Sequence, residues 1–475
     1  MHSMIPDSVG DTKISVRTVD EYVEGDLDYL DLLDARRNGK TLLLLVGVQS
    51  HQFQRALDLA AIAVRRGCMA IIGGPHPMTC DTTMLQGNGV SFALAEAESI
   101  LGTILSDATH GELQPVYGIG QRWVRELEAP VLKMPSTADQ KRYATSLIGL
   151  YPFRGCPFVC DFCSVIKIAG RNIRAQSIET TMETLRRAKQ AGVQSIFMTS
   201  DNFNKYAEAE VLCEAIIEEK LGLRFFIQCD TQIVQQPRLL ELFAKAGVFQ
   251  IFLGIESLDP AALKHVHKTQ NRPQFYTQIR EMCDDVGINA HFSMINGFPS
   301  NTRTGILEQL EAVCEINPSM ASFYTLCPIP GTKQYDDFMR DGLITETNMD
   351  RFDTICPTWQ HPNLSWGELN ELLRTCYLRF YSAKRLAQYR PKGSQMSWPT
   401  IASYYAFVNL TTGVYGHHPM SGGVYRLKRD GVDDYMSMRC DTYGFEHIPL
   451  PGSLALSATD KVYNDKAKIA VPARG

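Results

Sequence analysis

Hydrophobic positions along this 475-residue chain fall into three successive patterns. In the first, about residues 1–125, stretch 14–19 alternates apolar and polar as a strand does, and 42–48 and 69–72 are apolar runs of buried-strand length. Between those runs, Phe53, Ala56, Leu57, Ala60 and Ala63 recur at helical spacing behind Ser50, a residue suited to cap a helix; Gly67 stands where one ends. Strand, helix and strand, followed by Gly73-Gly74-Pro75-His76-Pro77, predict a doubly wound, Rossmann-like α/β domain, and such sheets take ligands at that C-terminal edge. In the second pattern, about 140–345, apolar runs begin at Ser195, Arg224, Gln250, Ala290 and Ala321, 26 to 40 residues apart, with helical intervals between them. One interval, 178–191, places Met182, Leu185 and Ala188 on one face with Gly192 behind it. A further run at 146–151 makes six β/α units, a partial (β/α)6 TIM-type barrel whose site belongs at the strands' C-terminal ends. In the third, 346–475, Ser365 and Glu368 form a capping-box pair ahead of a helix carrying Leu369, Leu372, Leu373, Cys376 and Phe380 on one face.

Beyond Pro391 this mixed C-terminal segment turns aromatic and glycine-rich (Trp398, Tyr404, Tyr405, Phe407, then 422–425) and is expected to close the barrel's open end and shape a substrate pocket. His417 and His418 are adjacent, so on a strand they would face opposite ways, and a surface loop is the simpler reading. The end from Ser457 is polar and expected to fray.

Composition narrows the class. With 47 Lys and Arg against 52 Asp and Glu, the formal charge of −5 leaves no basic footprint for nucleic acid. The longest apolar run, 42–48, is far too short to span a bilayer, and the N-terminus carries no signal-peptide pattern, so a cytoplasmic location is expected. Thirteen cysteines, mostly scattered, suit reduced thiols rather than a disulfide scaffold; Cys68, Cys213, Cys283, Cys314 and Cys376 read as small core hydrophobes.

The exception is Cys156, Cys160 and Cys163, three thiols in one tight loop just after the first strand of the barrel. Four ligands would close a zinc site. Three suit an iron–sulfur cluster with one iron left for an exogenous ligand, or a zinc loop completed from elsewhere. Polar residues stand at the later strand ends: Ser200, Asp201 and Asn202 after the second, Gln228 at the third, Glu256 and Ser257 at the fourth, Asn296 at the fifth and Pro328 after the sixth. Singly, each reads as a cap or a surface group. Five strand ends in register behind a cysteine loop point to one site and weigh against the zinc loop.

The spacing Cys-x3-Cys-x2-Cys, with Phe162 before the last cysteine, resembles the signature of radical S-adenosylmethionine (radical SAM) enzymes. The resemblance implies that Cys156, Cys160 and Cys163 hold a catalytic 4Fe-4S cluster whose open iron binds S-adenosylmethionine, which is cleaved reductively to a 5′-deoxyadenosyl radical. It also implies that Ser200, Asp201 and Asn202 hold the amino group of SAM, with Phe162, Gln228, Glu256 and Ser257 nearby and Asn296 and Pro328 around adenine and ribose. A one-electron reductant such as flavodoxin or ferredoxin is the implied partner.

The front run, from 46–48 through Arg55-Ala56, Gly73-Gly74-Pro75-His76-Pro77 and Gly87-Asn88-Gly89, looks like the cobalamin-binding domain ahead of many radical SAM cores. Members of that group usually begin with one more strand before the segment matching 14–19, so the domain is expected either to be truncated and structural or to bind in a modified way, and the Asp-x-His-x-x-Gly motif is absent. Gly74 and His76 are its candidate cofactor contacts, although a histidine between two prolines also reads as part of a turn. Residues 163–171 with Arg174 look most like hopanoid methylases and their neighbours, which include anaerobic magnesium-protoporphyrin ester cyclases. There Lys167, Arg171 and Arg174 would neutralise an anionic substrate or the SAM carboxylate, or else form a solvated basic edge. The implied activity is cobalamin-dependent methylation of an unactivated carbon in a lipid, tetrapyrrole or natural product. The alternatives are a cobalamin-independent radical rearrangement, cyclisation or dehydrogenation, and a sensor without turnover.

Overall fold

The computed structural model describes residues 1–20, 32–87, 89–143, 147–346, 349–388, 396, 398–416, 418 and 419. The expectations for Asn88, Ser146, His417, stretch 422–425 and the tail from Ser457 lie outside the described residues.

The front apolar runs become a parallel sheet of β1 (Leu42–Leu45), β2 (Met69–Gly73), β3 (Val90–Ala93) and β4 (Val116–Tyr117), side by side in chain order. Helix α1 (Phe53–Arg65) buries its stripe of Phe53, Ala56, Leu57 and Ala60 against Ala70, Ile72 and Phe92. A short α2 (Pro75–Thr79) follows β2, and α3 (Ala97–His110) covers the opposite face, with Ile100 and Ile104 against Ile71 and Ala93. Both faces of the sheet are therefore covered, as parallel sheets require. Among the described residues the strand order has no reversal, so the crevice that a reversal opens in a doubly wound sheet is not formed there.

Two local expectations are corrected. Residues 14–19 pair with no strand: a two-residue hairpin (Ser8–Val9 with Thr12–Lys13) precedes them, and Ile14 and Val16 pack on Leu101 and Leu105 of α3. One-sided packing on a helix produces the same alternation as a strand. Nor does Ser50 cap α1. Gln49 and Gln52 make a reciprocal capping box around the turn Ser50–Gln52, and the Ser50 hydroxyl goes to His76.

The second sheet has six parallel strands in chain order: β5 (Leu147–Leu150), β6 (Ser195–Met198), β7 (Arg224–Cys229), β8 (Val248–Glu256), β9 (Asn289–Asn296) and β10 (Met320–Thr325). Helices α4 (Ile178–Gln190), α5 (Ala209–Glu219), α6 (Pro237–Ala246), α7 (Tyr276–Asp285) and α8 (Arg303–Ile316) return the chain between them. Ile196, Phe225, Ile251, Phe292 and Phe323 share one core with these helices. Alternation then assigns Phe197, Phe226, Phe252, His291, Ser322 and Tyr324 to the inner face.

Among the described residues β10 is an edge strand whose outer backbone groups have no neighbouring strand. Helix α9 (Trp366–Phe380), opened by the expected Ser365/Glu368 capping box, supplies partners together with Tyr381, which caps its C-terminal end, and His418. The Tyr381 hydroxyl accepts the Ala321 N–H at 3.0 Å and donates to the Ala321 carbonyl at 2.8 Å. Tyr377 accepts the Phe323 N–H at 3.1 Å, and His418 Nε2 lies 2.9 Å from the Phe323 carbonyl. Side chains four apart on a helix meet positions two apart on a strand, each pair sharing one face.

Candidate active site at the barrel mouth

From the C-terminal end of β5 the chain enters an antiparallel ribbon, Phe153–Arg154 against Arg174–Ala175, which fixes both ends of the cysteine loop. Backbone bonds shape the loop. Cys156 N–H donates to Gly170, Cys163 N–H to Cys160 and Asp161 N–H to Val266, each at 3.1 Å, while Asp161 accepts from Gln334 at 3.0 Å. Gly155 adopts φ +106°, where a Cβ would stand 2.3 Å from the Asn172 carbonyl oxygen, so only glycine fits that corner.

Cys156 and Cys160 are buried and Cys163 partly so. The Asn202 amide donates to Cys156 Sγ at 3.1 Å, and the Gln270 amide to Cys160 Sγ at 3.7 Å. Burial pushes all three thiols above their ordinary range, so a metal must displace their protons to bind. Among the described residues no three His, Cys, Asp or Glu side chains converge as they would around one ion. Mononuclear zinc gathers its donors about a single centre, whereas a 4Fe-4S cube binds each thiolate through a different iron. Three thiols on one loop are a donor set that such a cube takes.

The strand-end residues divide into two groups. Asn202 reaches the cysteine loop, and desolvation lifts the nearby Asp201 carboxyl to about 6. Gln228 reaches the Thr199 carbonyl at 3.4 Å, and Glu256 is buried at the end of β8 with a left-handed φ of +62°. Pro328 is buried in the loop after β10. By contrast, Ser200 is spent on the backbone of Phe153, Ser257 on Gln309 and the Asp259 N–H, and the Asn296 amide on Cys376 Sγ. These three side chains brace the fold. Arg174 is not a free cation either: it grips Glu96 at the start of α3 with bonds of 2.6 and 2.8 Å, while Arg154 grips Glu98. Arg171 donates to the Pro157 carbonyl.

Sequence reasoning passed over 266–271, which lies against the cysteine loop. His267 Nδ1 is 2.9 Å from Asp161, Lys268 Nζ is 2.5 Å from Glu256 Oε1 and 5.6 Å from the centre of the Phe162 ring, and Asn271 donates to the carbonyls of Gly254 and Ile255. The only signal was a polar basic run, which ordinarily marks a solvated loop.

The front sheet's C-terminal edge is built differently. Val48 N–H donates to Gly73 at 3.0 Å and His76 N–H to Val48 at 2.9 Å. Gly74, at φ +137°, sits so close that a Cβ would lie 2.2 Å from the Val48 nitrogen. The His76 ring is 2% exposed, bonds Ser50 at 3.0 Å and lies tilted 4.0 Å from the Phe53 ring, and burial lowers its pKa to about 3. Gly74 and His76, both candidate cofactor contacts, therefore serve loop packing. Val46, Gly47 and Gln49 remain exposed along this edge, which can offer a cobalamin backbone and shape but not the His76 imidazole.

Comparison with known proteins agrees with this geometry. The family profile of the Radical SAM superfamily matches residues 150–312. Bacteriochlorophyllide d C-12(1)-methyltransferase of Chlorobaculum tepidum is 23% identical over 348 residues, 72% of this chain and 75% of that protein. Hopanoid C-2 methylase of Rhodopseudomonas palustris is 25% identical over 280 residues, 55% of this chain and 52% of its own. In fold, the chain is similar to the radical S-adenosylmethionine methyltransferase TsrM from Kitasatospora setae, solved with cobalamin and a [4Fe-4S] cluster bound. That match has a TM-score of 0.61 at 15% identity and covers 74% of this chain and 82% of the other. Among the described residues, no helix is long and apolar enough to cross a membrane.

Proposed function

We propose that this chain, whose residues 150–312 match the Radical SAM superfamily, methylates an unactivated carbon of a small molecule, using a 4Fe-4S cluster on Cys156, Cys160 and Cys163 to activate S-adenosylmethionine. The observation that carries the proposal is the cysteine loop itself, three thiols at a barrel mouth with side-chain amides on two of the sulfurs. When bound, the cluster and SAM supply a 5′-deoxyadenosyl radical that removes a hydrogen atom, and cobalamin supplies the methyl group.

The protein's own part is placement. The three cysteines hold the cluster, and Asn202 and Gln270 orient the sulfurs from outside, as partners of metal ligands do. Asp201 and Glu256 stand at the mouth as acceptors for the SAM amino group, with Phe162, Gln228 and Pro328 around them. The inner-face aromatics Phe197, Phe226, Phe252 and Tyr324 offer an apolar wall that excludes water from the radical. In this organisation residues 1–125 are the Rossmann-like cobalamin-binding domain, 140–345 the partial-barrel core and 346–475 the segment that closes the substrate pocket. The exposed Val46, Gly47 and Gln49 would hold the cobalamin, which would supply the methyl group. A flavodoxin- or ferredoxin-like protein delivers the electron. The relatives named for bacteriochlorophyllide and hopanoid support a tetrapyrrole or lipid substrate.

The test is anaerobic reconstitution with iron, sulfide and hydroxocobalamin, followed by gel filtration and a visible spectrum, and comparison of metabolites with a deletion strain. Retained cobalamin absorbance, and loss from the deletion strain of a product one methyl group heavier than its precursor, are expected. The knitted edge around Gly74 and His76 favours one second reading, a cobalamin-independent radical reaction. A spectrum without cobalamin would select it.

A further inference from the structure

Beside the cysteine loop stands the buried cation Lys268. Lys268 is 8% exposed, and its ammonium lies 2.5 Å from Glu256 Oε1 and 5.6 Å from the centre of the Phe162 ring, next to Cys163. The fit is close: a Cβ on Gly254 would stand 2.7 Å from the Lys268 nitrogen. Two residues on, Gln270 donates to Cys160 Sγ, which fixes this segment against the thiols. Desolvating two charges offsets much of what a buried ion pair gains, so stability alone is a poor reason for placing one here.

We propose that Lys268 is an electrostatic tuning residue for the cluster, its positive charge acting to favour the reduced state. The proposal rests on the reading that Cys156, Cys160 and Cys163 carry a 4Fe-4S cluster. Reduction adds one electron, taken from the flavodoxin- or ferredoxin-class donor, and neither makes nor breaks a bond at Lys268. The added negative charge is stabilised by a nearby cation in a site of low dielectric, where the interaction is weakly screened. Glu256 holds the ammonium in place and tempers its effect.

The test is a potentiometric titration followed by electron paramagnetic resonance on the full chain, reconstituted with iron and sulfide and free of SAM. Iron content and cluster absorbance are measured first. At a fixed potential, Lys268→Met is expected to lower the ratio of reduced to oxidised cluster about tenfold, a downward shift of about 59 mV for one electron. Lys268→Arg should stay near wild type, and Glu256→Gln, which keeps the cation and removes the acid, should shift the potential upward. An iron-loaded Lys268→Met protein with an unchanged potential overturns the tuning role and leaves the cluster reading intact. A wild-type chain that binds no iron overturns the cluster reading itself. If Lys268→Met does not fold, the direction of the Glu256→Gln shift decides the matter, and no shift or a downward one refutes the role.

Discussion

The chain builds two parallel sheets, each with its strands in chain order, and their C-terminal edges have opposite characters. At the front edge Gly74 lies against the loop after β1, and His76 turns inward to Ser50 and Phe53, so the strand-end loops satisfy one another. At the barrel edge the first strand is followed by a ribbon clamped to α3 through Arg154 and Arg174. That clamp holds out a loop of thiols, which 266–271 then meets from the far side. A strand-end edge becomes reactive only where neighbouring loops are kept from closing on each other. Here ion pairs hold the barrel edge open, while at the front edge the strand-end loops bond one another.

The sharpest way to break this contrast is to remove a thiol. Cys160→Ala should lose the iron and reductive SAM cleavage together while the front sheet stays folded; iron assay and circular dichroism of the same sample check both. Next in size is the clamp. Arg174→Ala leaves the buried Glu96 carboxylate without its main partner, which should cost about 3 kcal/mol in chemical denaturation. A loss below about 1 kcal/mol would mean that the ribbon does not depend on the front sheet.

A smaller effect is expected at the barrel's open side. Tyr381→Phe removes the hydroxyl that satisfies both backbone groups of Ala321, at a cost of about 1–3 kcal/mol, with the protons of β10 exchanging faster than those of β8. The smallest is a pH effect that compares the two sheets. Burial holds His76 and His291 neutral down to about 3, while in the unfolded chain each takes up a proton near 6.5. Their contribution to stability is therefore full above about 6.5 and declines as pH falls toward 3. Between pH 6 and 5 each histidine should account for about 1 kcal/mol of lost stability, and His76→Asn should remove that slope from the front sheet alone. An unchanged slope in His76→Asn would show the ring to be solvated.

Local periodicity was enough to predict most of the architecture. The six barrel strands, the box at Ser365 and Glu368, and the place of the cysteine loop all follow from residues within a few positions of one another. The missing parts depend on distant partners. Arg174 looked free because Glu96, its counter-ion, is 78 positions away. Ser200, Ser257 and Asn296 stand at strand ends like binding groups, yet each meets an unsatisfied neighbour that only the folded chain brings near. Stretch 14–19 alternates because a helix lies along one side of it, and period alone does not distinguish that from a sheet. Lys268 was passed over for a related reason. A lysine in a polar run is ordinarily solvated, and only the end of β8 makes it a buried one.

The central claim, that Cys156, Cys160 and Cys163 carry a cluster that activates S-adenosylmethionine, is tested most directly by measuring 5′-deoxyadenosine after dithionite and SAM are added to the anaerobically reconstituted chain. The account predicts 5′-deoxyadenosine from the wild type and none from the Cys156→Ala, Cys160→Ala or Cys163→Ala variants. An iron-loaded wild type that forms none, or a cysteine variant that forms as much, would contradict it.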